Sequence, residues 1–194
     1  MKNFTLKLLI PILFFANSLH VIAGDTIKFV ARPYISFWIS ATFNKQFTVR
    51  CVDVGINEIF TGTGDLQYIS ITNIGFDRQE IIIEGEEGCA ITFFDTFSSL
   101  SVIDVSKCPS IEYLYAGSGP FEKGALGSIN ISNCLNLKLL HITGGCLKEL
   151  DVSDCWALET IYCNNHNLSM LDINLSNNPA INQIICDQNH LSLW

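Results

Sequence analysis

The sequence predicts a mainly β chain: a short solenoid of about four coils behind a β-rich N-terminal cap. Three observations predict it. Two separate phrases recur down the C-terminal half with the same spacing, and the residues before them form short alternating or apolar runs broken by Gly, Asn and Asp. The third is composition: of 194 residues, 48% are hydrophobic, 11% aromatic and 15% charged. An average domain is roughly 25% charged, so this chain can bury a core and intrinsic disorder is excluded.

Residues 1–23 read as an export leader. Lys2 and Lys7 precede an apolar run from Leu8 to Phe15, and Val21, Ile22 and Ala23 close the segment. That order of basic, apolar and small residues is what a secretory signal peptide requires. The run falls short of the ~20 residues a membrane span needs, and no later stretch reaches ~18, so no membrane insertion is expected after cleavage. Cleavage after Ala23 leaves 194 − 23 = 171 residues beginning at Gly24, outside the cytoplasm, in the periplasm or at the cell surface. The chain carries 11 basic and 19 acidic residues, a net charge of −8, and losing Lys2 and Lys7 takes it to 9 − 19 = −10. Nucleic acid and anionic lipid are poor partners for such a chain.

Residues 24–97 lack a clear repeat register. Tyr34 to Ile39, Phe47 to Val54, Tyr68 to Ile71 and Glu80 to Glu84 read as strands from their period-two or apolar patterns. The spacing of Leu66, Ile69 and Ile71 also fits a degenerate outer coil. The physical role of this region follows from the region behind it, because a solenoid end exposes apolar core and needs a cap. No low-complexity linker separates the two, which predicts one continuous body.

Residues 98–194 carry the repeats. The first phrase runs Leu100, Ile103, Asp104, Val105, Ser106, Cys108; then Leu126, Ile129, Asn130, Ile131, Ser132, Cys134; then Leu147, Leu150, Asp151, Val152, Ser153, Cys155. A fourth copy, Leu168, Leu171, Asp172, Ile173, reaches Ser176 after two extra residues. The second phrase is Ile111, Leu114, Ala116; Leu137, Leu140, Ile142; Leu158, Ile161, Cys163; and Ile181, Ile184, Cys186. Both ladders step by 26, 21 and 23 residues. The first coil is longer by a stretch from Gly117 to Gly124, which reads as a surface bulge.

A period of 20 to 29 residues with L-x-x-L-x-L-x-x-N/C-x-L spacing resembles the leucine-rich repeat, in which each coil gives one short strand and needs neighbours to bury its apolar side. More narrowly, the chain resembles the short, cysteine-bearing 21-residue subclass of internalin-like bacterial surface proteins, over about Leu100 to Leu191. The position of the ladder asparagine is filled by Asn189, His166 and Gly145 in different coils. The segment from Thr48 to Gly55 is weakly similar to the strand and turn of small sandwich modules that precede such repeats.

The candidate chemistry is sparse. Cys108, Cys134 and Cys155 share one repeat position and Cys163 and Cys186 another, which predicts inward stacks. Adjacent coils lie ~4.8 Å apart, whereas a disulfide wants converging Cβ atoms at about 3.8 Å, so these five are expected to be free buried thiols. Cys51, Cys89 and Cys146 fall outside both ladders. Cys163 with His166 and Cys186 with His190 have the spacing of ligand pairs, yet repeat alignment turns the two histidines in different directions, so no metal or other cofactor is expected. The column Asp104, Asn130, Asp151, Asp172 reads as side chains that bond nearby turn amides.

Recognition is the remaining use. In the second phrase, residues flanking the inward ones alternate outward, giving Tyr113 and a middle column of Tyr115, His141, Tyr162 and Ile185. Large amphipathic groups on a face that ordinary alternation makes polar suit a contact surface, and they also suit rings that merely shelter one another. The function that follows is a non-enzymatic binding module for another protein or a surface glycan or polymer. The competing function is an extracytoplasmic enzyme with its site in the N-terminal region.

Overall fold

The computed structural model describes residues 24–31, 35–72, 77–96, 98–117, 126–164, 166, 168, 170–172 and 177–190. The leader and most of the Gly117–Gly124 bulge lie outside them. Fifteen strands follow one another: β1 (Thr26–Ala31), β2 (Ile35–Ala41), β3 (Gln46–Cys51), β4 (Ile56–Thr61), β5 (Leu66–Ile71), β6 (Gln79–Gly85), β7 (Ile91–Thr96), β8 (Leu100–Lys107), β9 (Tyr113–Ala116), β10 (Ser128–Asn130), β11 (Leu139–His141), β12 (Glu149–Asp151), β13 (Thr160–Tyr162), β14 (Met170–Asp172) and β15 (Gln183–Ile185). No α-helix occurs among the described residues. The chain is mainly β and contains a β-solenoid of about three turns.

Two sheets hold all but two of the described strands. One has the order β10-β8-β1-β6-β3-β4, the other β15-β13-β11-β9-β7-β2-β5, and β12 pairs β14 separately. Strand pairing changes sense at β7 and β8. β7 is antiparallel to β2 and parallel to β9, and β8 is antiparallel to β1 and parallel to β10. Thus the strands before residue 90 pair antiparallel, β3 and β4 being the one consecutive pair side by side among them, and β7 and β8 that follow template the first parallel coil.

The period-two reading of the N-terminal region holds for β2, β3, β5 and β6. In β2, for example, Ile35, Phe37, Ile39 and Ala41 are buried and Trp38 is exposed. Between the sheets Phe29, Phe37 and Phe94 meet at ring distances of 5.4 to 6.3 Å. The degenerate coil at Leu66 to Ile71 is corrected: this segment is β5, an edge strand antiparallel to β2, whereas solenoid coils pair in parallel. Its spacing matches a coil only because a strand that buries Ile69 and Ile71 has the same local pattern. β1, β4 and β7 are additional strands that the sequence pattern did not separate.

In the solenoid both ladders point inward. Leu114, Leu140 and Ile161 stack in register, with Ile142 and Cys163 next to them, all fully buried. Ile184 stands in the same column, opposite Ile161, on β15 at the end of the sheet, and is 38% exposed. Each corner turns alike: the amides of Cys108, Cys134 and Cys155 donate to the carbonyls of Val105, Ile131 and Val152. Their thiols donate backwards across the stack, Cys134 to Val105 O at 3.4 Å and Cys155 to Ile131 O at 3.6 Å. Cys108 does the same to Ile91 O at 3.4 Å. In the last coil Asn178 takes the cysteine position, and its amide donates to Val152 O at 3.0 Å and Cys155 O at 2.7 Å.

The opposite corner uses Asn189. Its Nδ2 donates to Cys163 O and Cys186 O, both at 2.8 Å, and its Oδ1 accepts from the amides of His166 and Leu168 at 3.1 and 3.3 Å. One coil back, the buried His166 occupies the matching place, packed on Gly145, where any Cβ would collide with its imidazole. His190 is exposed, so the two histidines do diverge. Replacing Asn189 by Ala strands two carbonyls and two amides at once. A lone unsatisfied group costs about 1–3 kcal/mol, so Asn189→Ala is expected to lower unfolding free energy by about 2 kcal/mol or more in urea titration. Asn189→Asp, which has no amide donor, should be no better.

Candidate functional site

The outward column predicted from the repeats extends well beyond them. In the seven-stranded sheet, Ile185 lies opposite Tyr162, Tyr162 opposite His141, and His141 opposite Tyr115. Tyr115 then lies opposite Asp95 on β7, Asp95 opposite Trp38 on β2, and Trp38 opposite Tyr68 on β5. One row of in-register residues therefore crosses the whole sheet, from Tyr68 through Trp38, Asp95, Tyr115, His141 and Tyr162 to Ile185. Tyr113 belongs to the neighbouring row, opposite Phe93 and Leu139.

Adjacent rings touch. Trp38 and Tyr68 are 5.2 Å apart, Tyr115 and His141 5.4 Å at 82°, and His141 and Tyr162 5.2 Å at 66°. Phe93 links the two rows, 5.5 Å from Tyr115 and 6.4 Å from Tyr113. Edge-to-face pairs of this kind are worth about 0.5–1.5 kcal/mol beyond area burial. The rings nevertheless remain open: Tyr68 is 54%, Trp38 40% and Tyr113 38% exposed. Tyr115, His141, Tyr162 and Ile185 are half-buried.

Burial among these rings shifts the polar members. It raises the Asp95 carboxyl, lowers the His141 imidazole, and raises the Tyr115 hydroxyl, with the Asp95 charge adding to that last shift. Each shift favours the neutral form. His141 thus faces solvent as a neutral donor and acceptor.

Sequence reasoning placed Tyr113, Tyr115, His141, Tyr162 and Ile185 on one face, and the structure brings the last four into one row. It missed Tyr68, Trp38, Phe93 and Asp95. Trp38 did carry a signal, as the aromatic at an outward position between buried Phe37 and Ile39, but its alignment with Tyr115 depends on antiparallel register.

The other candidates resolve differently. Ser106, Ser132 and Ser153 amides donate to Asp104, Asn130 and Asp151 at 2.9, 3.2 and 2.9 Å, as the turn reading expects. Asp172 is described by its backbone alone. An open recess of about 300 Å³ separates β10 from β12, lined by Asn130, Ser132, Asp151, Ser153 and Asp154, groups already bonded to turn amides. Among the described residues no three His, Cys, Asp or Glu side chains gather as a metal would need. In the N-terminal region the buried Asp25 carboxylate accepts the Ile91 amide at 2.7 Å.

All eight cysteines are free; of the five ladder cysteines expected to be buried, Cys108, Cys134, Cys155 and Cys163 are, whereas Cys186, in the last described coil, is only partly so. Burial pushes Cys134, Cys155 and Cys163 up to about 12 and Cys108 well above its ordinary value. Of the three outside the ladders, Cys51 and Cys89 are buried and Cys146 is exposed. No family model, curated protein or solved structure matches the chain.

Two outcomes follow. In the native protein Cys146 should react with a thiol reagent quickly, while Cys108, Cys134, Cys155 and Cys163 should react only on unfolding; a mapped disulfide among these four would contradict it. His141 and the buried His166 are both lowered by burial, so the unfolded chain binds protons that the folded chain does not. Stability is therefore lost as pH falls below about 6.5, the ordinary histidine value. Proton NMR should place both titrations below that value, and a normal or raised His141 titration would refute the burial argument.

Proposed function

We propose that the chain is an exported, non-enzymatic binding module of the leucine-rich repeat type, with residues 24–97 serving as its cap. Export rests on the basic, apolar and small-residue order of residues 1–23, and the repeat assignment on the two ladders with equal steps. The observation that carries the binding function is the row from Tyr68 to Ile185, open to solvent across all seven strands of one sheet. Sheltering alone accounts for ring pairs, but it leaves unexplained why exposed Trp38 and Tyr68 continue the same row beyond the repeats. Contiguous exposed apolar surface on a soluble protein marks interaction sites, and tyrosine and tryptophan dominate such contacts.

The partner is another protein or a surface glycan or polymer, met along an extended line. The enzyme alternative has little support in the N-terminal region, where Asp25 is engaged with Ile91 and Cys51 and Cys89 are buried thiols whose pKa burial raises.

The test is a pull-down with the mature protein from the producing cell's surroundings, wild type against Tyr115→Ser with Tyr162→Ser. The double change should weaken capture at least tenfold, about 1.4 kcal/mol, in a protein that melts somewhat lower for the lost ring contacts but stays folded at the assay temperature. Undiminished capture would move the site off this face.

A further inference from the structure

Between Trp38 and Tyr162 the residues of the row alternate in kind, with Tyr68 and Ile185 as apolar ends. Trp38, Tyr115 and Tyr162 stand on β2, β9 and β13, every second strand, while Asp95 and His141 stand between them on β7 and β11. Strands lie ~4.8 Å apart, so like groups recur every ~9.6 Å. His141 stands at 82° and 66° to its two tyrosine neighbours, so ring face and ring edge also alternate. Apolar ring surfaces are therefore separated by hydrogen-bonding groups, an acceptor at Asp95 and a donor and acceptor at His141.

Charge narrows the ligand. Asp95 is the one formal charge in this row, and the neighbouring row, from Leu66 through Phe93 and Tyr113 to Gln183, has none. With 19 acidic and 11 basic residues in the chain, a polyanion is repelled and finds no cation here. A polycation finds only the half-buried Asp95 in the row itself and, beside Asn164 in the other flanking row, Asp187. A neutral, hydroxyl-rich chain matches both kinds of group.

Period narrows it further. In an extended polypeptide, side chains on one face recur every ~6.8 Å, and this falls out of phase with ~9.6 Å within two positions. In an extended chain of equatorially linked pyranose sugars, successive rings turn over, so the repeat is two sugars, about the length of two strand spacings. Alternate sugars then offer the same C–H face to one side.

We propose that this row is a track for a linear, neutral polysaccharide running across the strands, with alternate sugars on Trp38, Tyr115 and Tyr162 and the intervening hydroxyls on Asp95 and His141. The inference rests on the recognition-surface reading above and names its ligand class. The five residues from Trp38 to Tyr162 match about five sugar units. Because Trp38 lies on an antiparallel strand outside the repeats, the track needs both parts of the chain.

The experiment is calorimetric titration of the full chain with β-1,4-linked gluco-, manno- and xylo-oligosaccharides of two to seven units, with β-1,4-linked glucuronate oligomers (oxidised cellulose) as the anionic control. At least one neutral series should bind with affinity rising to about five units and then levelling, and the glucuronate series should not bind. Trp38→Ala and Tyr162→Ala should each weaken the pentasaccharide at least tenfold while the variant stays folded at the titration temperature. If either variant fails to fold, pentasaccharide-induced NMR shifts at the Trp38 indole and the His141 ring in the wild type decide the matter, and their absence refutes the track. Failure of every neutral series, or preference for the anionic one, also overturns the proposal. If a protein partner is nonetheless captured and lost with Tyr115→Ser and Tyr162→Ser together, only the polysaccharide is wrong. If capture survives that double change, the recognition surface falls with it.

Discussion

Each corner of the solenoid presents a carbonyl oxygen to two donors, the turn amide of its own coil and a thiol or amide of the next. Where a coil bends at Val105, Ile131 and Val152, the backbone oxygen faces the next coil, not a strand partner. A thiol or an amide from that next coil reaches back to it. A thiol is a weak donor, but it is small and mostly apolar, so it adds a second bond to the carbonyl without wasting core volume. Asn178 does the same at the last coil with a stronger donor that spans two carbonyls, and Asn189 does it at the other corner. The donors fix each coil's height over the one before, and parallel in-register stacking follows.

That stacking reaches the surface because strand side chains alternate. Once Leu114, Leu140 and Ile161 are in register inside, Tyr115, His141 and Tyr162 must be in register outside. The N-terminal strands extend the row through β7, whose Phe94 is buried against Phe29 and Phe37 while Asp95, next along the strand, joins the outer row. β7 and β8 pair antiparallel on one side and parallel on the other, which removes the open sheet edges a free first coil would expose.

Legibility in the sequence follows from the same distinction. Parallel coils repeat their register, so equal steps of two phrases were enough to place the ladders, the buried cysteines and the outward columns. Antiparallel register is set by hairpin lengths and by bulges such as the shift between Ser40 and Ala41. Nothing local to Trp38 says that it will face Asp95. The same blindness made Leu66, Ile69 and Ile71 look like a coil, since a half-buried strand and a coil share one short pattern.

Exposed rings are costly to keep in water, and their arrangement offsets part of that cost. Each ring in the run from Phe93 through Tyr115 and His141 to Tyr162 touches the next, so apolar edges are sheltered while other surface stays open. Contact also restricts rotamers before any ligand arrives. Tyr and Trp have two side-chain torsions, and ordering a side chain on binding costs about 0.5–1.5 kcal/mol when it is otherwise free. Rings already held edge to face by their neighbours, on a sheet whose spacing is fixed from inside, would leave little of that cost to the binding proposed for this face. The buried donors at the corners and the line of rings on the face are thus parts of one arrangement: rigidity set in the core becomes preorganisation at the surface.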